Sequence, residues 1–586
     1  MFNAFKGSLW TLFMALMCMI ASYTSANETN LDAIANDPQW QALLHIYEKK
    51  PLITQNFLLS ANDFSAKNEL IETLQLFRTK HQQNRTCRYI ARHFYLSAIK
   101  GMTLPAIHCP EYENFIQQVP ADHVSILFAS ENLSQPASIM GHTMLALSDY
   151  GLTKQHSVSF FTELTSVNPV SLIWDNFITG QPGYFLVQPL QKSIDLYLEK
   201  EQRNIWRYQI KLTHEQKSLF LAHLWELKYA SLEYFFHSHN CATLTLDILR
   251  IINPKLIESR QDWVSPIDVV KAADKQGMLT TPMLYGSSKW KIRLLSDYVT
   301  PISEDIIIDE RKPKTVLAGL LSFETNAYQF QQGYISQSDW FTKNTLLKKQ
   351  GFSKKRQRMN FDNPKSPLRT PGDSQWGIQF AQHDTAYKNQ AWGKVYWMPA
   401  SHDLMDDNSQ YSSENQLKIL QISARFRSDA LQLDSLHIYN AESYLNVNEY
   451  IGGISGRIAL GVDRFPIKES SHSLASYAEG AIGKSFQLHK DLSIYGLARL
   501  GLTANQNIQY FKTGPELGFF FYWLGGMKTH LSVSQLWRTG LEPVEQLSFK
   551  HTLLNWKSGA LKLSFDQQNW RGISSYESQL GFSFYY

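Results

Sequence analysis

The chain has 586 residues, room for about three or four domains with a core each. Its formal net charge is only +4, from 56 basic and 52 acidic side chains, too little and too dispersed for a nucleic-acid-binding surface. No apolar run of about 18 residues follows the N-terminal segment, which excludes a spanning helix and leaves a spanning barrel open.

Residues 1–26 read as a secretory signal. Lys6 supplies the positive start, Leu9 to Ile20 is an apolar run too short for a membrane span, and Thr24-Ser25-Ala26 offers a small-residue cleavage site. Cys18 follows the bulky Met17, which argues for plain cleavage over a lipoprotein anchor. The exported chain then keeps Cys87, Cys109 and Cys241. In an oxidising compartment the first two are expected to pair, leaving one thiol over.

Residues 27–118 predict a helical domain. Asp37-Pro38 opens a helix through Trp40, Leu43, Leu44 and Tyr47, and further helices fit Ala66 to Arg78 and Arg88 to Lys100. Residues 119–300 change character. His123 to Ala129 reads as a buried strand, and a polar loop through Glu131, Asn132 and Pro136 follows it. Gly141-His142 opens a second strand, with Met144 and Ala146 on the histidine's face, and His156 to Thr162 is a third. Thr213 with Gln216 forms a capping box for a helix through Phe220, Leu224 and Leu227.

The stretch YFFHSHNCATLTLDILRII, Tyr234 to Ile252, holds the candidate nucleophile. Asn240 is a good N-cap, and Leu244, Ile248 and Ile251 recur at helical spacing until Asn253-Pro254. Cys241 is thus at the first helical position, where the macrodipole favours thiolate. His142, on an earlier strand, is the candidate base. A bland alternative makes Cys241 an inert buried thiol and His142 an ordinary strand residue. His237, His239 and Cys241 would make a zinc trio only if the segment were a strand; the helix signal from Asn240 argues against it, and no metal or other cofactor is expected.

The segments CRYIARHFYL, LFASENLSQPASIMGHTMLAL, LAHLWELK and YFFHSHNCATLTL together resemble the Lnb N-terminal periplasmic domain family over roughly residues 80 to 280, chiefly through PASxxGHT and NC in that order. That family is similar to circularly permuted papain-like enzymes such as NlpC-type peptidases and lecithin retinol acyltransferase, in which histidine precedes cysteine. The resemblance implies an α+β domain with Cys241 as nucleophile and His142 as base. The third, orienting residue stays open among His156, Ser157 and Ser159. It also implies acyl transfer through a thioester. Lnb itself moves a fatty acyl chain onto the amino-terminal cysteine of a lipoprotein, but the membrane part expected after its domain is replaced here by something else.

Residues 301–375 read as a linker, with mixed helical character from Thr315 to Leu347. Lys348, Lys349, Lys354, Lys355, Arg356 and Arg358 form a basic tract that is either solvated or set against anionic headgroups. Residues 376–586 predict an antiparallel transmembrane barrel. Twelve alternating segments fall near 377–385, 388–400, 414–427, 430–443, 454–465, 474–488, 491–502, 512–523, 527–537, 544–555, 559–569 and 574–586. In one of them Leu561, Leu563 and Phe565 alternate with Lys562, Ser564 and Asp566. The ending LGFSFYY resembles the C-terminal insertion signal of outer-membrane barrels. The expectation is an outer-membrane protein with its N-terminal domains in the periplasm, acting through Cys241 and His142 on a lipid or lipoprotein acyl substrate. A peptidoglycan amidase or peptidase with the same pair, or a non-catalytic barrel with a binding or assembly domain, are the alternatives.

Overall fold

The computed structural model describes residues 31–586 except 55, 80–81, 132–139, 163–178, 262, 297–315, 350–365, 386–387, 400–401, 409–410, 412, 469–470 and 507. The signal region, the PAS stretch before Gly141 and the basic residues Lys354 to Arg358 lie outside the described residues. The chain divides into two compact units, one of residues 1–128, 143–193 and 208–281, the other of 129–142, 194–207 and 282–586.

In the first unit, Asp37 caps the helix Pro38–Leu43 by accepting from the Gln39 and Trp40 N–H groups. This helix stops at Leu43, short of the expected Tyr47. His45, Glu48 and Lys49 take positive φ, and a tight hairpin of β1 (Ile46–Tyr47) and β2 (Lys50–Pro51) follows. The reversal places the His45 ring in the core, with its Nε2 2.9 Å from Nε2 of His223 on the helix His214–Leu227. A tertiary contact has overridden a helical pattern. The expected helix from Arg88 is also broken, into the 3-10 turn Cys87–Tyr89, the α-helix Ile90–Phe94 and the π-turn Tyr95–Ile99. Cys87 and Cys109 are disulfide-bonded.

Arg92 is fully buried between two carboxylates. It pairs with Glu69, its backbone N–H donates to Glu226 at 3.0 Å, and its Nε lies 3.5 Å from Glu226. Burial opposes the charge on Glu69, but Arg92 and the N–H groups of Leu59 and Ser60 overcome it and hold that carboxyl below its usual range. At Glu226 burial wins, pushing the carboxyl up to about 7 against the pull of Arg92. One cation thus balances one carboxylate, and burial favours the protonated form of the other.

Seven strands form one sheet in the order β8-β6-β5-β4-β3-β7-β9: β3 (His123–Ala129), β4 (His142–Ser148), β5 (Gln155–Thr162), β6 (Gln181–Pro189), β7 (Ile205–Gln209), β8 (Leu232–Tyr234) and β9 (Met283–Tyr285). After their first residue, β3 and β4 are buried throughout, as strands covered on both faces must be.

In the second unit the helices Ser288–Ser296, Val316–Gln331 and Gln337–Lys349 pack in sequence. Ile292, Ala318, Leu321 and Tyr328 make their core, joined by Tyr450 and Ile451 from the barrel. Arg293 donates to the Asn446 carbonyl at 3.0 Å, and Asn448 to Ser296 Oγ at 2.9 Å.

The barrel is closed by twelve strands: β10 (Gln375–Thr385), β11 (Lys388–Met398), β12 (Glu414–Arg427), β13 (Ala430–Tyr444), β14 (Ser455–Lys468), β15 (Ser471–His489), β16 (Leu492–Ala504), β17 (Gln509–Tyr522), β18 (Lys528–Arg538), β19 (Leu541–Trp556), β20 (Gly559–Trp570) and β21 (Ile573–Tyr585). All neighbours are antiparallel, and β10 pairs with β21 from Gln375↔Tyr585 to Thr385↔Ser575. Strand β16 shows the side-chain rule: Ile494, Ala498, Leu500 and Leu502 are exposed on the outside, while Ser493, Tyr495 and Thr503 are buried. Exposed aromatics gather at both rims, Trp376, Trp397, Phe486, Trp523 and Trp556 at the Gln375 end and Phe426, Phe511, Trp537 and Tyr576 at the other. An apolar outer band between aromatic girdles around a charged interior is the surface that a bilayer requires.

Candidate active site

The helix Cys241–Arg250 is buried along its whole length and packs on β5 and on the helix Pro266–Lys275. Asn240 caps it as its sequence predicts. Its Oδ1 accepts from the N–H groups of Ala242 and Thr243, both at 2.9 Å, and Thr243 Oγ1 accepts from the Asn240 N–H at 2.8 Å. The Asn240 amide donates to the carbonyls of Phe236 and Val264, fixing the cap to two flanking loops. The helix-start N–H groups of Ala242 and Thr243 are therefore engaged by the cap.

Cys241 is 9% exposed, and among the described residues it is the cysteine outside the disulfide. Tyr234 lies near it. Burial, and then the negative charge that Cys241 can carry, push its phenol above the ordinary value. Tyr234 stacks on Phe160 at 5.7 Å, and Phe160 fills the space that a side chain at Gly183 would need. Gly180 holds φ +76° with the Phe235 ring against it, where a Cβ would meet Phe235 Cζ at 2.7 Å. Tyr234 was not singled out from the sequence, since an aromatic residue six positions before an N-cap carries no local signal.

Farther along, the helix is tied down by charge. Asp247 pairs with Arg250 at 2.9 Å and with Arg260 at 3.5 Å, and Arg250 donates to the Ile46 carbonyl at 3.1 Å. Arg260 also donates to Ser238 O at 3.0 Å. That bond steadies a turn in which Phe235 and His239 exchange backbone hydrogen bonds. The segment is a bridged turn followed by a helix, so His237, His239 and Cys241 do not alternate along a strand. The described residues contain no group of three or more His, Cys, Asp or Glu placed to hold a metal ion.

His142 belongs to the second unit, at the start of β4. Gly141 enters the strand at φ 91°, a conformation that a side chain would strain. The imidazole stacks on Tyr197 at 5.4 Å with an interplanar angle of 22°, and the Arg203 guanidinium lies 4.9 Å from the same Tyr197 ring. Arg203 is itself fixed by the carbonyls of Ala129 and Ser130 and by Glu201 at 2.9 Å. Burial, then the Arg203 charge, lower the His142 pKa to about 3, so the ring is neutral at neutral pH. Glu131 moves the other way, pushed up to about 7 by burial.

The three candidate orienting residues separate by register. Ser157 opposes Ala146 and His156 opposes Leu147, so Ser157 and Ser159 share the Ala146 face while His156 is on the other. Ser157 Oγ is 2.8 Å from Ser193 Oγ. Ser159 is buried, and its hydroxyl has no hydrogen-bond partner among the described residues.

The fold defines a class: an outer-membrane β-barrel protein with periplasmic N-terminal domains. Residues 111–276 match the family model of the Lnb N-terminal periplasmic domain. Residues 32–98 and 364–585 match two domain families of unknown function, DUF7843 and DUF7840. Comparison with curated proteins found no match. Similar solved structures include the KdgM porin in complex with disordered oligogalacturonate, at 9% identity and TM-score 0.23, covering 36% of this chain and 99% of that one. The COG4313 outer membrane channel from Pseudomonas putida F1 is similar at 10% identity and TM-score 0.25, covering 37% and 96%. The NanC porin is similar at 6% identity and TM-score 0.24, covering 36% and 100%.

Proposed function

We propose that the periplasmic part is a cysteine acyltransferase or hydrolase that works through a thioester on lipid or lipoprotein substrates held near the membrane by the barrel. The observation that carries this reading is Cys241: a buried thiol at the first position of a doubly capped helix, in a chain that bonds its other two described cysteines. In the mechanism, Cys241 attacks an acyl ester or amide carbonyl as His142 takes its proton. The tetrahedral intermediate expels the alcohol or amine, which leaves with the proton from His142. An amine or water then attacks the thioester, His142 takes the incoming proton, and Cys241 regains it on leaving.

The low proton affinity of His142 bears on the resting state. The imidazole rests uncharged, the form a base must start from, and burial beside Arg203 weakens its hold on the proton it would take. Of the orienting candidates Ser159 is preferred, because it lies on the Ala146 face with a buried hydroxyl that Ser157, engaged with Ser193, does not offer. The barrel supplies proximity: confinement at the membrane raises the local concentration of lipid-linked substrates.

The test is intact-mass analysis of the purified full-length protein after incubation with phospholipid, wild type against Cys241→Ser. An acyl adduct that hydroxylamine removes, present in the wild type and absent from Cys241→Ser, is the expected result. An adduct formed only with muropeptide donors would replace the substrate class by peptidoglycan. A Cys241 inert to both donors and to small alkylating agents would leave a binding or assembly domain.

A further inference from the structure

The barrel interior is occupied by its own chain. The N-terminal domains are periplasmic and join the barrel at Gln375, so the β11–β12 connection is also on the periplasmic side. Its segment His402–Asn408 turns inward, with Leu404, Met405, Asp406 and Asn408 all buried. The partners of this segment come from around the wall. Asp403 pairs with Lys418 of β12 at 2.9 Å and with Lys562 of β20 at 3.4 Å. Asp406 pairs with Lys562 and accepts from Gln375 of β10 at 3.1 Å and from Tyr585 of β21 at 2.7 Å. Thr552 of β19 donates to the Met405 carbonyl at 2.7 Å. Leu404 packs with Tyr444 of β13, Tyr495 and Leu497 of β16 and Phe520 of β17. A short segment that touches eight of the twelve strands from inside must cross the lumen.

Beyond the segment is a cavity of ≈ 310 Å³ lined in part by Leu404, Arg457, Arg499, Glu479 and Glu516. Six of its charges pair with one another. Arg457 reaches Glu442, Glu479 and Glu516 at 3.1, 3.3 and 3.2 Å; Arg499 reaches Glu479 and Glu516 at 2.9 and 3.1 Å; Lys512 reaches Glu479 at 2.7 Å. The connections at the far rim span only two to four residues, whereas the longer β11–β12 connection on the periplasmic side carries the segment that turns inward.

We propose that the barrel is a closed membrane anchor rather than an open diffusion pore, with His402–Asn408 as the plug that seals its periplasmic mouth. The inference is independent of the thiol chemistry. Carboxylates and a leucine from one loop are matched by lysines and aromatics around the wall, and an aqueous path along the segment would have to break both sets of contacts. Buried ion pairs of this kind are costly to break singly, because each leaves an uncompensated charge.

The experiment is swelling of proteoliposomes carrying the full-length protein in isosmotic arabinose, with single-channel recording in potassium chloride beside it. The wild type is expected to swell at the rate of protein-free vesicles and to give no conductance steps. Replacing residues 403–407 by a Gly-Ser segment of equal length is expected to admit arabinose and produce steady steps. The folded barrel is checked by its heat-modifiable migration in gels. Should that variant lose its folded band, Asp403→Ala/Asp406→Ala decides, with intermittent conductance expected. Arabinose entry through the wild type would overturn the closed anchor, and a folded but silent variant would overturn the plug assignment.

Discussion

Charge is buried in both units, but it is balanced differently. In the first, a single guanidinium, Arg92, serves two carboxylates, Glu69 and Glu226, and a single carboxylate, Asp247, serves two guanidiniums, Arg250 and Arg260. In the barrel, Arg457, Arg499 and Lys512 face Glu442, Glu479 and Glu516, three against three. The surrounding medium explains why. A periplasmic domain excludes water with an apolar core and admits a buried ion only where it ties elements together, as Arg92 does for three helical segments. A membrane barrel has its apolar surface outside, so its polar residues have only the lumen in which to pair. The unequal clusters make the first unit sensitive to single substitutions and to pH, and the equal network of the barrel gives most of its charges more than one partner.

The largest effect is expected from Arg92→Met. It leaves Glu69 charged and buried, and should cost roughly 3–5 kcal/mol in the periplasmic part. Thermal unfolding followed by near-ultraviolet circular dichroism would show it, while the heat-modifiable migration of the barrel stays unchanged. A barrel that failed together with the periplasmic part would show that the two do not behave separately. Next in size is the Cys87→Ser/Cys109→Ser double variant, expected to lower the stability of the first unit by about 3 kcal/mol through the freed loop. Urea denaturation monitored by tryptophan emission measures it.

Asn240→Ala removes the cap of the Cys241 helix and should cost about 1–2 kcal/mol. Its local signature is faster hydrogen exchange at Ala242 and Thr243, the amides that Asn240 now accepts from. Unchanged exchange there would mean that packing alone holds the helix start.

The smallest effects are in pH. Burial lowers the His45 pKa to about 4, so its contribution is present above the ordinary value of 6.5 and is lost as pH falls toward 4. Glu226, raised to about 7 from 4.5, contributes most below 4.5, and that contribution is lost as pH rises through 7. Between pH 4.5 and 6.5 the two contributions oppose each other, so the wild-type melting temperature should change little there, while His45→Gln makes it fall as pH rises and Glu226→Gln makes it rise.

Much of the architecture was legible because it is written locally. The twelve barrel segments were all placed by period-2 alternation, with ends displaced by a few residues where bulges and rims carry no periodic signal. Asn240 and the Thr213–Gln216 box were readable because a capping residue acts within three positions of itself. The expected helix through Tyr47 failed because an apolar pattern cannot show that His45 will turn back to meet His223, 178 residues away. The plug was invisible for the same reason, since Asp403 and Asp406 look like any loop carboxylates until Lys562 is brought beside them.

What the amino-acid order determined alone is the type and sequence of elements: helices first, a sheet bearing His142, a capped helix bearing Cys241, and an inside-out barrel. Packing of the whole chain set which buried charges meet, which face each candidate orienting residue takes, and that a loop turns into the lumen. Element choice follows from propensity and periodicity over a few neighbours, whereas pairing across a fold depends on residues such as Arg92 and Glu226, 134 positions apart, which only the finished packing brings into contact.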